Sequence, residues 1–175
     1  MDGLFLATRY PDARAFTIED GRRYEEFVAA KTKFLFDFEL HFFEGKTAQL
    51  QGENREGVEI KFDAQMKETG NIFLEVAEKS RAANAAYYPS GVFRKDNSTR
   101  YWIGDYKQAF VFVKSELQER LRKTVYKKIT KPTAIGFLMP VEEAKALCKT
   151  HLVFCVEAEA GLSVQEQKSG QGALW

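Results

Sequence analysis

The chain lacks most of the features that would announce a chemistry outright. Its 175 residues include only two cysteines and two histidines, and they form no Cys/His cluster of the kind that holds a structural metal. It has no glycine-rich phosphate-binding loop and no serine-centred nucleophile motif. Sequence grounds for a P-loop nucleotide hydrolase or a serine hydrolase are therefore missing. No apolar run approaches the roughly 18 residues of a membrane span, and the stretch from Met1 to Thr8 lacks a basic region and a cleavage pattern. A net charge of +1 gives no global pull toward nucleic acid, so any such binding has to come from local patches. Cys148 and Cys155 lie among apolar residues and, without a secretory signal, read as buried thiols in a reducing compartment. A cytoplasmic protein is expected.

What is present is ordinary in bulk and specific in places. At 45% hydrophobic and 29% charged the composition is that of a globular chain. The expectation is one α/β (α+β) domain over 1-160 followed by a tail over 161-175. Tyr24, Phe27, Val28 and Ala30 recur at helical spacing from Asp20, a candidate N-cap, to about Lys33. Phe34, Phe36, Phe38, Leu40 and Phe42 then occupy every second position, which predicts a strand, with Glu44-Gly45-Lys46 as a turn and Thr47 to Gln51 as the return. Further strands are expected at Arg100 to Ile103, Ala109 to Val113, Ala134 to Leu138 and His151 to Val156. A helix is expected after Ser115, its candidate N-cap, with Leu117, Leu121 and Val125 as its apolar stripe. Pro140 should open another.

The most informative segment runs from Val58 to Lys79. Its two apolar-alternating halves read as a β-hairpin with Glu68-Thr69-Gly70 as a three-residue loop and Gly70 in the left-handed position. Pairing Lys67 with Asn71 would put Asp63 opposite Glu75, Lys61 opposite Ala77 and Glu59 opposite Lys79, all on one face. Val58, Ile60, Phe62, Ile72, Leu74 and Val76 would lie on the other. Carboxylates facing each other at about 5 Å repel unless they share a cation. A magnesium ion held by two carboxylates could activate water and stabilise charge on a phosphodiester, with Lys61 adding positive charge. The competing reading is a solvated face whose lysines neutralise its acids.

Asp63 and Glu75 with the gap between them, together with Glu59-Ile-Lys61-Phe-Asp63, Glu68-Thr69-Gly70-Asn71-Ile-Phe-Leu-Glu75, Pro89-Ser90-Gly91 and Tyr101-Trp102, resemble the PD-(D/E)xK nuclease superfamily. Within it the likeness is to small phage-encoded, restriction-endonuclease-like proteins. The resemblance covers about residues 58 to 113. It implies a mixed central sheet flanked by helices, and a Mg²⁺- or Mn²⁺-dependent nuclease that cleaves DNA, in the host cytoplasm if phage-encoded. Asp63 and Glu75 would be the metal ligands, with Asp63, Glu75 and Lys61 catalytic. One departure is Ala77, where the family motif places Lys; Lys61 from the partner strand is the expected substitute, with Lys79 a weaker one. A degenerate nuclease fold serving as a nucleic-acid or protein-binding module is the rival.

Other candidates carry less. Asp37, Glu39 and His41 alternate on one predicted strand but would not converge on one ion unaided, and Glu25 or Glu26 could add a helical ligand. Lys114, Arg120, Arg122, Lys123, Lys127, Lys128 and Lys131 make a basic stretch. Of these, Arg120, Lys123, Lys127 and Lys128, together with Ser90, are candidate nucleic-acid contacts. Tyr87, Tyr88, Tyr101 and Trp102 could stack on bases. The expected partner is DNA, with a homodimer left open; neither a membrane nor an organic cofactor is expected.

Overall fold

The structure, a computed structural model, describes residues 13–45, 51–154 and 164–168, with side chains described for 19–45 and 51–154. The described chain divides into two compact units, bounded between Glu39 and Leu40. The first unit is helix α1, Ala13–Phe36. Tyr24, Val28 and Thr32, four residues apart, are fully buried and mark a single stripe along its length. Ion pairs Glu19–Arg22, Glu19–Arg23 and Arg22–Glu26 lie on exposed positions. Asp20 is inside this helix and does not cap it.

The predicted strand over Phe34 to Phe42 is not formed. Phe34 and Phe36 complete the last turn of α1, where Lys33 reaches Asp37 at 2.8 Å across the i,i+4 spacing that only a helix provides. Asp37 takes a left-handed φ of 50° and ends the helix. Phe38 to Glu44 then runs without strand pairing apart from one bridge, Phe42 to Asn54. Asp37 is thus paired with Lys33, and His41 Nδ1 lies 2.8 Å from Glu56, so the alternating acids and histidine do not gather. The return expected at Thr47 to Gln51 falls almost wholly outside the described residues.

The second unit contains two sheets. Strands β1 (Val58–Phe62), β4 (Arg100–Gly104), β5 (Gln108–Val113), β8 (Thr150–Phe154) and β9 (Val164–Lys168) form one, in the order β1-β4-β5-β8-β9. The β1–β4 pair is parallel and the others antiparallel, so this sheet is mixed. Strands β2 (Asn71–Glu78), β3 (Tyr88–Pro89), β6 (Lys127–Thr130) and β7 (Ala134–Pro140) form an antiparallel sheet in the order β3-β2-β7-β6. Helices α2 (Met66–Thr69), α3 (Lys114–Lys123) and α4 (Val141–Leu147) and a 3-10 turn, Gly91–Phe93, lie between these strands. Mixed α/β architecture is as expected; two sheets in place of one central sheet, and a strand within the expected tail, are not.

The core follows from strand composition. Phe110, Val111 and Phe112 are buried consecutively, as an interior strand covered on both faces requires. Phe110 and Phe112 join Ile72, Leu74, Met139, Leu117 and Leu121 in one apolar cluster. Leu117 and Leu121 form the inward stripe of α3, but Val125 lies beyond the helix and is fully exposed. That helix begins at Lys114 with Val113 at its N-cap position, so Ser115 is not the cap. Pro140 does stand immediately before α4, where its fixed φ suits a helix start. Cys148 is buried, and burial pushes its pKa up to about 11, which keeps the thiol protonated. Cys155 lies outside the described residues. Among the described residues no helix is long and apolar enough to cross a membrane.

Candidate functional site

The hairpin that was to bring Asp63 and Glu75 together does not exist. Strand β1 pairs with β4, where Lys61 lies opposite Ile103 and Glu59 opposite Tyr101. Strand β2 pairs with β7, where Glu75 lies opposite Gly136 and Ala77 opposite Ile135. The turn chemistry explains the divergence. Asp63 closes β1 by accepting the Gln65 N–H at 3.1 Å, an Asx-type turn, and Met66 buries its side chain completely. The next residues coil into α2, which Gly70 caps in the left-handed conformation (φ 66°), its N–H bonding Met66 O at 3.0 Å. Gly70 therefore has the backbone that its sequence position suggested, in a helix cap instead of a hairpin.

Asp63 is nevertheless tied to the strand that carries Glu75. The other Asp63 oxygen, Oδ2, accepts the Phe73 backbone N–H at 2.8 Å, which joins the end of β1 to the middle of β2. Glu75 is two residues beyond Phe73 on the same side of the strand, about 7 Å further along it. Its Oε1 accepts the Ser90 hydroxyl at 2.8 Å. Ser90 is buried, and its own N–H bonds Val76 O at 3.1 Å, so Pro89-Ser90-Gly91 is a clamp on this part of β2. Gly91 has φ +50°, and a Cβ there would stand 2.3 Å from the Glu75 carbonyl oxygen; only glycine permits that approach. A register shift interrupts the β2–β7 ladder between Glu75 and Ala77, an irregularity of the kind that re-aims side chains.

Burial raises the Asp63 pKa, opposed by the Phe73, Gln65 and Met66 N–H groups and by the ammonium of Lys131. Lys131 sits 4.0 Å from the centroid of the Phe73 ring. That ring in turn covers Gly136, where a Cβ would meet it at 2.5 Å. The cation acting on Asp63 is therefore Lys131, which the sequence placed only within a basic stretch.

Lys61 has a different role from the one expected. It does not stand across from Ala77; its Nζ lies 2.9 Å from Glu53 Oε1 and 3.4 Å from Glu59 Oε1. Burial would lower its pKa, but Glu53 and Glu59 overcome that and hold it well above the ordinary lysine value. Glu59, expected on the open face opposite Lys79, is 1% exposed and 2.9 Å from Lys114, which also pairs with Asp96 at 3.1 Å. Burial pushes the Glu59 carboxyl above its usual range, against the pull of Lys61 and Lys114. The Tyr101 hydroxyl sits beside this cluster with no hydrogen-bond partner among the described residues. Burial, then Glu59, drives its pKa well up, and the fields of Lys61, Glu75 and Glu53 reach it as well. Glu53 was not foreseen. It comes from a loop and accepts the Ile60 N–H at 2.7 Å, while Asn54 exchanges two bonds with Val58. Together they satisfy the open edge of β1.

Compared with known proteins, the chain matches no family model, no curated protein and no solved structure.

The expected nucleic-acid contacts disperse. Arg120 is bound to Glu143 at 2.6 Å and to the Tyr126 hydroxyl, and Lys123 is paired with Glu119. Lys127 and Lys128 stay exposed on the edge strand β6. Tyr101 and Trp102 are fully buried and cannot stack on a base. Tyr88 is exposed; Tyr87 donates to Lys131 O at 3.2 Å with Lys79 over its ring, so Lys79 does not stand in for the absent lysine either. Glu26 pairs with Arg22, and Glu25 lies on the same helix, in the first unit. Among the described residues no three His, Cys, Asp or Glu side chains converge as metal ligands.

Proposed function

We propose that the unit beginning at Leu40 is a metal-dependent phosphodiesterase of restriction-endonuclease-like kind that hydrolyses DNA. One observation carries the reading: the Asp63 carboxylate is hydrogen-bonded to the backbone of β2 two residues from Glu75, with the Lys131 ammonium acting on it. Magnesium needs only one or two carboxylates, the remainder of its shell being water and substrate phosphate. Hard oxygen donors in that number are what Asp63 and Glu75 offer. Bound between them, the ion would supply an activated water and charge stabilisation at the phosphorus.

The residues of the chain do the positioning. Gln65 and Phe73 N–H groups orient Asp63, and Ser90 orients Glu75. Lys131 offers an ammonium to the charge that develops on the phosphoryl oxygens. Lys61 holds Glu53 against β1, the strand that ends at Asp63.

The test is incubation of the purified protein with labelled DNA in Mg²⁺ or Mn²⁺. Cleavage should require the metal, and Asp63→Asn and Glu75→Gln should each slow it by at least about 100-fold. Cleavage that survives both substitutions would remove the assignment. A second reading, a nucleic-acid-binding module that keeps the fold without the chemistry, is favoured by the engagement of both Asp63 oxygens with backbone N–H groups and by Ala77. It predicts no cleavage and no Mn²⁺ binding that depends on Asp63 in a calorimetric titration.

A further inference from the structure

A groove of about 920 Å³ opens beside Ala77, on the strand that carries Glu75. Five cationic side chains, Arg94, Lys95, Arg100, Lys114 and Arg122, line it against one carboxylate, Asp96. Two of the five are balanced internally: Lys114 by Glu59 and Asp96, and Arg94 by Asp96 at 3.4 Å. Lys95, Arg100 and Arg122 have no salt bridge among the described residues. A concave wall with three uncompensated cations concentrates anions more strongly than the same charges on an open surface.

Aromatic rings lie among these cations. Phe93 and Tyr87 both line the groove; the Arg122 guanidinium lies 5.1 Å from the Phe93 centroid and Lys79 4.6 Å from that of Tyr87. Cations interleaved with rings form the surface on which an unpaired strand places its phosphates and stacks its bases. In a duplex the base faces are already occupied by their neighbours and could not use the rings.

From this geometry we infer that the groove binds single-stranded nucleic acid, with Lys95, Arg100 and Arg122 on the phosphates and Phe93 and Tyr87 against the bases. The strand would be led past Ala77 toward Glu75. A lysine at position 77 would project beside this track, so alanine there widens it. The inference deepens the proposed nuclease reading by naming the form of its substrate, but binding itself is independent of cleavage.

The experiment is fluorescence anisotropy with a labelled oligothymidylate in EDTA, where no metal-dependent cleavage can occur, over a range of salt concentrations. Each phosphate contact to a single strand contributes about 0.7 to the slope of log K against log salt. Replacing Lys95, Arg100 and Arg122 together by Gln should therefore reduce the slope by about 2 and weaken binding on the order of 100-fold at 0.1 M salt. The singles Lys95→Gln and Arg122→Gln should each reduce it by about 0.7, which keeps the test available if the triple variant does not fold. Phe93→Leu should weaken binding without changing the slope. Unchanged affinity and slope in the folded variants, or duplex bound as tightly as the single strand, would overturn the inference. Asp63→Asn should leave this binding intact while cleavage is lost; groove-dependent binding by a wild-type protein that does not cleave with Mg²⁺ or Mn²⁺ rejects the catalytic reading alone. Cleavage without groove-dependent binding rejects the groove alone.

Discussion

Lys114→Met is the perturbation on which the fold reading can be tested most severely. Lys114 is 3% exposed, and its ammonium contacts Glu59 Oε2 at 2.9 Å, Asp96 Oδ1 at 3.1 Å and Arg94 O at 3.1 Å, with the Ser98 hydroxyl also bound. Methionine fills nearly the same volume, so the change removes charge and hydrogen bonds with little loss of packing. Glu59 would be left with Lys61, 3.4 Å from its other oxygen, and Asp96 with Arg94 and Ser98. Breaking a buried pair by deleting one partner costs about 3–5 kcal/mol, because the abandoned charge stays desolvated. At an m-value of about 2 kcal/mol/M, the urea midpoint should fall by about 1.5–2.5 M. The assay is equilibrium urea unfolding followed by far-UV circular dichroism, for Lys114→Met, Glu59→Gln and the double variant. The double should be less damaged than the sum of the singles, with a coupling of about 1–3 kcal/mol. A loss under about 1 kcal/mol for Lys114→Met would refute the reasoning, since a solvated surface pair costs no more than that.

Three further outcomes follow from other parts of the same unit. Gly91→Ala places a Cβ 2.3 Å from the Glu75 carbonyl at φ +50°; it should destabilise by about 1–3 kcal/mol and reduce cleavage by disturbing the Ser90–Glu75 bond, measured as urea midpoint and initial rate. Tyr101→Phe removes a buried hydroxyl without a hydrogen-bond partner and should raise stability by about 1–3 kcal/mol, seen as a higher melting temperature. Burial together with Lys145 lowers the His151 pKa, so the stability it contributes is present above the unfolded value of about 6.5 and is lost as pH falls through the lower folded value. His151→Phe, which keeps the stacking on Phe110, should flatten that acid limb in melts recorded against pH.

The sequence was most legible where one local rule decided the outcome. Apolar runs over Ala109 to Val113 and over Ala134 to Leu138, Pro140 before a helix and a left-handed backbone at Gly70 all reappear in the structure, the last in a helix cap and not the expected hairpin loop. The partner of β1 was not legible. Nothing local distinguishes a hairpin from two strands of different sheets joined by one helical turn, and the distinction rests on Asp63 accepting Gln65 N–H and on Met66 turning inward. Alternation also misled at Phe34 to Phe42, where period two was a coincidence of helix end and irregular chain. Glu59 shows a further limit: its charge suggested an open face, yet a distant lysine, Lys114, balances it in the interior. Lys131 beside Asp63 depends on the neighbouring β6–β7 turn, 68 residues away in the chain by numbering.

Asp63 raises the question of whether one carboxylate can both finish a strand and hold an ion, and its titration answers it. Its folded pKa is raised, burial being the main cause. By linkage, the stability this confers is present below the unfolded value of about 3.9 and is lost as pH rises through the folded pKa. The folded protein therefore opposes ionisation at this position. A divalent cation would reverse the preference, because it binds only the ionised form and compensates the desolvated charge. Two linked results are expected. Without metal, replacing Asp63 by Asn should abolish a decline in stability between about pH 4 and the folded pKa. With Mn²⁺, the wild-type protein should gain stability above that pKa by RT ln(1 + [L]/Kd), about 2.7 kcal/mol at a hundredfold excess over Kd. Thermal melts with and without Mn²⁺ across pH 4 to 8 measure both. If the metal-free decline appears and the Mn²⁺ gain does not, Asp63 is a strand cap alone, since the same oxygens that accept Gln65 and Phe73 N–H would then have no lone pair placed for an ion.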